Sequence, residues 1–399
     1  MVVAARRTPV ATTGRGLARV DAAGLAGPVL AALVDDLSGL SSHGPGGPAR
    51  PDDVRVDDVV LGNCCGPGGD VARVSVLAAG LGVEVPGVTV DRQCGSGLEA
   101  VRLGAALVAG GAANVVLAGG VESASTAPWR MTRSHGPTDE PRLYTRAPFA
   151  PPGFPDPEMG AAAEAVAELC GITRERQDAY AERSHARAVA AATGGLYDDE
   201  LVPVGGVEAD DRPRANLTAA ALSRFRPAFA DGGTVTAGNS CGINDGAAAV
   251  ALVPDELRAA AGLPGLRVLA TAACGVDPAT PGLGPVPAVE AVLARAGLAM
   301  ADVDVLEITE AFASQVLACT DALGLDALGA DAARVCPDGG AIALGHPWGA
   351  SGALLLVRLF SRLVRQARGV PAADAPRYGV AACAIGGGQG VAVLVERVA

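Results

Sequence analysis

The 399-residue sequence predicts an α/β protein made of two similar halves, with a loop domain inserted between them. Three observations carry this. Near-continuous apolar runs alternate with Gly-rich turns and Ala- and Leu-rich stretches, the texture of buried sheets flanked by helices. The same plan occurs twice, once around Cys94 and once around His346. Between the copies, from about residue 121 to 243, the texture changes.

The first copy begins with the apolar run Val56-Asp57-Asp58-Val59-Val60-Leu61-Gly62. A second short strand, Val88-Thr89-Val90, leads into Asp91-Arg92-Gln93-Cys94-Gly95-Ser96-Gly97. A helix is expected from there to about Val108, and the copy closes on Asn114 to Gly120. The second copy runs from Val303 to Ile308, through Gly339-Gly340, to His346-Pro347-Trp348-Gly349-Ala350-Ser351-Gly352. It continues with a helix and ends on Gly379 to Gly388. Packed face to face, two such halves bring their Gly-rich turns together, which is a geometric reason for Cys94 and His346 to meet.

The middle segment is rich in Pro, Arg and aromatics from Trp129 to Pro157, in a chain with only 3% aromatics. A helix is expected from about Glu158 to Leu169, and Thr173 reads as the N-cap of a second one through about Ala192. Inserted loops of this kind carry specificity more often than the scaffold does. The expected domains are 1–120 with 244–258, an inserted 121–243, and 264–399.

Composition excludes several classes. The formal net charge of −12 argues against nucleic acid or an anionic membrane as partner. No Lys is present, so a lysine Schiff base and a P-loop lysine are ruled out. The nine Cys are dispersed without a Cys-x-x-Cys pair, and only four His exist, so no metal ligand set is expected. Such a Cys set reads as reduced thiols in a cytoplasmic protein. Met1 to Ala5 is too short for a signal peptide, and no run has the apolar length of a membrane span.

Cys94 is the leading chemical candidate. A strand feeds a tight turn that opens a helix, so the thiol falls near a helix N-terminus, where a thiolate is favoured. A Cys so placed is a candidate nucleophile for acyl transfer. The competing reading, a buried structural Cys, is commoner for any one Cys taken blindly.

Ordered blocks over nearly the whole chain resemble the thiolase family of acyl-CoA acyltransferases. They include Arg7-Thr8-Pro9, Cys94-Gly-Ser-Gly-Leu98, Gly119-Gly-Val-Glu-Ser123, Glu158-Met159-Gly160, Arg183-Ser184-His185 and Arg226-Pro-Ala-Phe229. Further on come Gly233 to Asn239, Asn244-Asp245-Gly246, Gly284-Pro285, Glu310-Ala-Phe-Ala313 and Gly339 to Pro347. The resemblance implies a layered αβαβα thiolase fold and an enzyme working through an acyl group on Cys94. It implies that His346 takes the thiol proton and that the N–H groups of Cys94 and Gly386 form an oxyanion hole. Met159, Arg214, Cys241 and Phe312 would contact coenzyme A or the acyl chain. Acyl-CoA and CoA would be substrates, with no permanently bound cofactor. The assembly would be a homodimer or homotetramer, with the strand before Cys94 at the subunit contact.

Three departures from the family pattern matter. The family usually has a second catalytic Cys immediately before Ile-Gly-Gly-Gly. Here Ala384 stands there and Cys383 is one residue earlier. On a strand this offset turns the side chain to the other face. Either the backbone shifts so that Cys383 serves as the acid/base, or that group is missing; the offset favours its absence. Thr309 replaces a common Asn that holds a water with the catalytic His. Cys241 replaces a Ser along the pantetheine, and Glu158 stands where many members have His. Three functions follow: reversible exchange between 3-ketoacyl-CoA and acyl-CoA, acyl transfer to another acceptor in secondary metabolism, or acyl-CoA binding without catalysis. The first is preferred.

Overall fold

The computed structural model describes residues 1–399 except 39, 41–54, 137 and 372–373. Its strands are β1 (Val2–Arg7), β2 (Asp58–Gly62), β3 (Gly87–Val90), β4 (Val116–Ser123), β5 (Asn244–Leu252), β6 (Gly265–Gly275), β7 (Val305–Ile308), β8 (Tyr378–Ile385) and β9 (Gln389–Val398). The main helices are α1 (Ala22–Asp36), α2 (Val71–Ala78), α3 (Ser96–Ala109), α4 (Met159–Cys170), α5 (Arg174–Thr193), α6 (Pro285–Ala296), α7 (Ala313–Ala322) and α8 (Trp348–Phe360).

The two halves repeat one topology. In the first, β2 pairs in parallel with β3 and β4, β4 pairs antiparallel with β5, and β5 antiparallel with β1. In the second, β7 pairs in parallel with β8 and bridges Val335 on its other side. Strand β8 then pairs antiparallel with β9, and β9 antiparallel with β6. A contact between Val2 and Leu266 joins β1 to β6, so the strand order is continuous: β7-β8-β9-β6-β1-β5-β4-β2-β3.

Strand alternation sorts the core into layers. Val60, Val116, Ala118, Val250 and Leu252 face inward with Cys383, Val391, Val393 and Val395, and between them lie Leu98 and Val101 of α3 and Leu354 to Val357 of α8. The opposite face of the first half packs Val59, Leu61 and Leu117 on Leu25, Val29, Leu30 and Leu33 of α1. The opposite face of the second packs Ile308, Ala382, Ala392 and Leu394 on α6 and α7. The result is helix, sheet, helix, sheet, helix. Because aromatics are scarce, close backbone approach replaces bulk in the central layer. A Cβ on Gly97 would stand 2.7 Å from the Gly349 carbonyl oxygen, so α3 and α8 touch at their N-terminal turns.

The excursion between β4 and β5 carries α4 and α5. Thr173 caps α5 through its hydroxyl, which accepts from Arg176 N at 3.3 Å. A buried network ties this region to both halves. Arg7 of β1 donates to Glu200 at 2.6 Å and Asp210 at 2.7 Å, and Arg358 of α8 pairs with Glu200 and Asp338. Tyr197 lies between the two guanidinium groups, 5.0 and 4.6 Å from its ring centre. Among the described residues, no helix is long and apolar enough to cross a membrane.

Candidate active site

The duplication brings the two predicted turns together. Cys94 precedes α3 by two residues, and His346 precedes α8 by two. Since the first turns of these helices are in contact, both side chains lie at one end of the central layer. Gly95 fixes the third participant: a Cβ there would be 2.6 Å from Ile385 Cδ1, so the turn at Cys94 lies against the end of β8.

The Cys94 turn is tied down by its own side chains. Gln93 has φ of +46°, uncommon for a residue with a Cβ. Its backbone N–H donates to Asp91 Oδ1 at 2.7 Å. Ser96 Oγ donates to the Gln93 carbonyl at 2.6 Å and accepts from Arg92 N at 2.8 Å. The thiol is not a resting thiolate. Burial pushes its pKa well above the ordinary value, Cys241 and Cys383 add to this, and its own amide N–H only partly opposes it. This corrects the expectation from the helix N-terminus: desolvation of the sulfur outweighs a partial dipole charge.

His346 is buried, and its amide donates to Asn244 Oδ1 at 3.0 Å. Its Nδ1 is 2.6 Å from Ser351 Oγ, and that hydroxyl donates to the Pro347 carbonyl at 2.9 Å. The hydroxyl proton is thus committed, which assigns the imidazole proton to Nδ1. Nε2 is then a free lone pair, buried and without a partner among the described residues. Burial lowers the imidazole pKa to about 4. A neutral base and a neutral thiol at one end of the central layer allow general-base-assisted nucleophilic attack.

Cys383 is on the inner face. Its cross-strand partner Val391 lies within 3.0 Å of a Cβ placed on Gly95, and partners across a strand pair share a face. Ala384 pairs with Gly390, which abuts Gly284 at the start of α6 in the outer layer. The one-residue offset therefore does turn the side chain over, and the residue turned toward Cys94 is Cys383, without any break in strand pairing. Thr309, just past β7, sets its Oγ1 3.0 Å from Cys383 Sγ. Burial pushes the Cys383 thiol up to about 12, and the Thr309 hydrogen bond pulls it back only in part.

The remaining candidates form a wall. Cys241 N donates to the Ala311 carbonyl at 3.0 Å, and Ser240 bridges Phe312. The Phe312 ring meets Phe229 edge-on at 5.9 Å. Phe229 covers Gly160, the neighbour of Met159, so Met159, Phe312 and Cys241 belong to one surface. The Cys241 thiol is pushed up to about 12 by burial. Arg214 is exposed, and its guanidinium bonds only carbonyls of its own loop, Asp211 at 2.7 Å and Pro213 at 3.1 Å. Gly386 lies under Phe149, which would be 2.6 Å from a Cβ there.

Several contributors were not foreseen from sequence. Ser351 orients His346, and Phe149 roofs the glycines after β8. Buried Glu122 accepts from the backbone N–H groups of Cys64, Cys65 and Gly349 at 3.2, 3.1 and 3.1 Å, locking α8 to the loop after β2. Glu310 accepts from Tyr180 at 2.9 Å, Ser184 at 2.6 Å and Ile342 N at 3.1 Å. Glu122 and Glu310 fall inside family-like blocks, but nothing local separates a framework acid from a reactive one. Among the described residues, no cluster of His, Cys, Asp and Glu could hold a metal ion.

Residues 1–256 match the model of the thiolase N-terminal domain, and 264–397 that of the thiolase C-terminal domain. An acetyl-CoA acetyltransferase of Pseudomonas aeruginosa is 41% identical, covering 100% of this chain and 99% of its own. One from Escherichia coli is 40% identical, with 100% and 98% covered. The crystal structure of the Bacillus anthracis acetyl-CoA acetyltransferase superposes with a TM-score of 0.86 at 35% identity, over 100% of this chain and 98% of that one.

Proposed function

Since the chain belongs to the thiolase family and is an acyltransferase of the thiolase type, we propose that it exchanges 3-ketoacyl-CoA and acyl-CoA through an acyl group carried on Cys94. The observation that carries this is the unpartnered, neutral His346 Nε2 at the helix end shared with Cys94. Nε2 takes the thiol proton as Cys94 sulfur attacks the 3-keto carbonyl. The Cα–C bond breaks, the acyl group stays on Cys94, and the released carbanion takes a proton from the Cys383 thiol. Acyl-CoA leaves. Free CoA then attacks the acyl-enzyme, its thiol proton going to the Cys383 thiolate. The C–S bond to Cys94 breaks, and the departing Cys94 thiolate recovers its proton from His346. The N–H groups of Cys94 and Gly386 hold the carbonyl oxygen as it gains charge.

Thr309 hydrogen-bonded to Cys383 supports keeping the carbon–carbon step in this reading over transfer to another acceptor. The loop domain 121–243 supplies the CoA-facing wall through Met159 and Cys241, continued by Phe312, with Arg214 toward a phosphate. In the first half, β3 is the terminal strand of the sheet, and an open edge suits a homodimer contact. Intact-protein mass spectrometry with several acyl-CoAs tests the proposal. The wild type gains one acyl mass that free CoA discharges, and Cys94→Ala gains none. Exchange by Cys94→Ala at the wild-type rate would place the nucleophile elsewhere.

A further inference from the structure

Behind Thr309 and Ser351, away from the thiols, lies a small cavity of about 20 Å³, enough for one water. It is lined by Glu307, Thr309, Ser351 and Arg358, closed by Gly339 to Ala341, Leu344 and Gly345, and backed by Leu354 and Leu355. Two polar atoms at this place have no protein partner among the described residues: Glu307 Oε1 and Arg358 Nε. With the two hydroxyls, these give one water the two to four polar partners that a buried water takes.

Glu307 is 1% exposed and stands two residues before Thr309 on one strand face. Same-face neighbours at that spacing are about 6.6 Å apart, a gap that one water spans. Thr309 in turn touches Cys383 at 3.0 Å, and Ser351 touches His346 at 2.6 Å. The cavity thus connects one buried carboxyl to the supports of both reacting groups.

The surroundings leave this carboxyl uncharged at rest. The nearby cation, Arg358 of α8, is already shared by Glu200 and Asp338. Glu310 also bears on Glu307, and the thiol of Cys336 lies in its neighbourhood. A further anion in this buried pocket costs more than its interaction with Arg358 returns.

We propose that Glu307 stores the proton that Cys383 needs between the two half-reactions. After Cys383 protonates the departing carbanion, its thiolate takes a proton from the Thr309 hydroxyl. That hydroxyl is refilled from the cavity water, and the water from the Glu307 carboxyl. The net change is one carboxyl and one thiolate becoming one carboxylate and one thiol. The proton of the incoming CoA thiol returns by the reverse route. Burial makes the Cys383 sulfur, once deprotonated, a strong base toward a neighbouring proton donor. Glu307 touches no substrate; it is a positioning residue acting through Thr309.

The inference rests on the acyl-enzyme reading, and the test separates the two. Acetoacetyl-CoA mixed with the wild-type enzyme without free CoA stops the cycle after the first half. Infrared difference spectra should then show a buried carboxylic acid converting to carboxylate, and Glu307→Gln should lack that change. Glu307→Gln should load acetyl on Cys94 at the wild-type rate, yet thiolyse acetoacetyl-CoA roughly tenfold or more slowly. Its thiolysis profile should also lose an ionisation near 8. Acyl loading of the wild type without the infrared change overturns the inference. So does an unaltered pH profile in Glu307→Gln, or an equal fall in loading and thiolysis. Failure of the wild type to load Cys94 at all removes the functional reading instead.

Discussion

Replacing Cys383 by Ala, and separately Ala384 by Cys, tests the alternation of β8. The inner face at this strand end belongs to Cys383, whose partner Val391 lies against Gly95; Ala384 shares its face with Gly390 and the start of α6. Cys383→Ala removes the proposed proton donor to the carbanion. Positioned acid–base help contributes about 10²- to 10⁴-fold, equivalent to roughly 3 to 5.5 kcal/mol in activation free energy. Thiolysis of acetoacetyl-CoA should fall by that factor, while loading of Cys94 from acetyl-CoA, which forms no carbanion, should fall far less. The variant also leaves the buried Thr309 hydroxyl without its sulfur partner, at a cost of about 1–3 kcal/mol in stability. Ala384→Cys should give no gain in thiolysis, since its side chain shares the face of Gly390, away from Cys383. The assay is steady-state thiolysis alongside single-turnover loading read by intact mass. A large gain from Ala384→Cys with little loss from Cys383→Ala would refute the reasoning, and the acid/base would then be absent from the native chain.

Two further expectations are checked more simply. His346 is held neutral with a pKa of about 4 against an ordinary 6.5, so its basic form is fully populated above neutrality and is lost only near pH 4. Single-turnover loading should show no His limb between about pH 5 and 8. Because the unfolded chain binds the proton more readily, stability to urea should fall as pH drops from 6.5 toward 4. Arg214 is exposed and pairs with no acid among the described residues, so Arg214→Ala should weaken CoA in equilibrium titration, more so at low salt, without changing acyl loading at saturation. An unchanged CoA affinity makes Arg214 a solvated loop charge.

What could be read from the sequence was what is local or repeated. The cap at Thr173 needs only its own four residues, and α5 begins where that cap puts it. The meeting of Cys94 and His346 follows from repetition, since equivalent turns before equivalent helices must converge once the halves pack face to face. The joining of both sheets through Val2 and Leu266 has no local signal, because it depends on where two separate strands end. The face of Cys383 was readable only halfway. Period-two alternation says that Cys383 and Ala384 oppose each other, but which of them looks inward is set by β9 and α6. Ser351 and Glu307 were unreadable for the same reason: their chemistry lies in a cavity closed by three separate segments.

The protonation state of the site shows how burial decides chemistry that motif position leaves open. A Cys before a helix suggests a thiolate, and a His near a thiol suggests an imidazolium. Here the same desolvation acts on both with opposite sign, raising the thiol and lowering the imidazole to about 4. Neither charge is present at rest, so no ion pair waits in the pocket. In the proposed mechanism the proton leaves Cys94 only when a carbonyl carbon is in place to receive the sulfur and amide N–H groups are in place to receive the oxygen's charge. Two halves with one topology thus yield two different reactants at equivalent positions, and the burial they share ties the first proton transfer to the presence of a thioester.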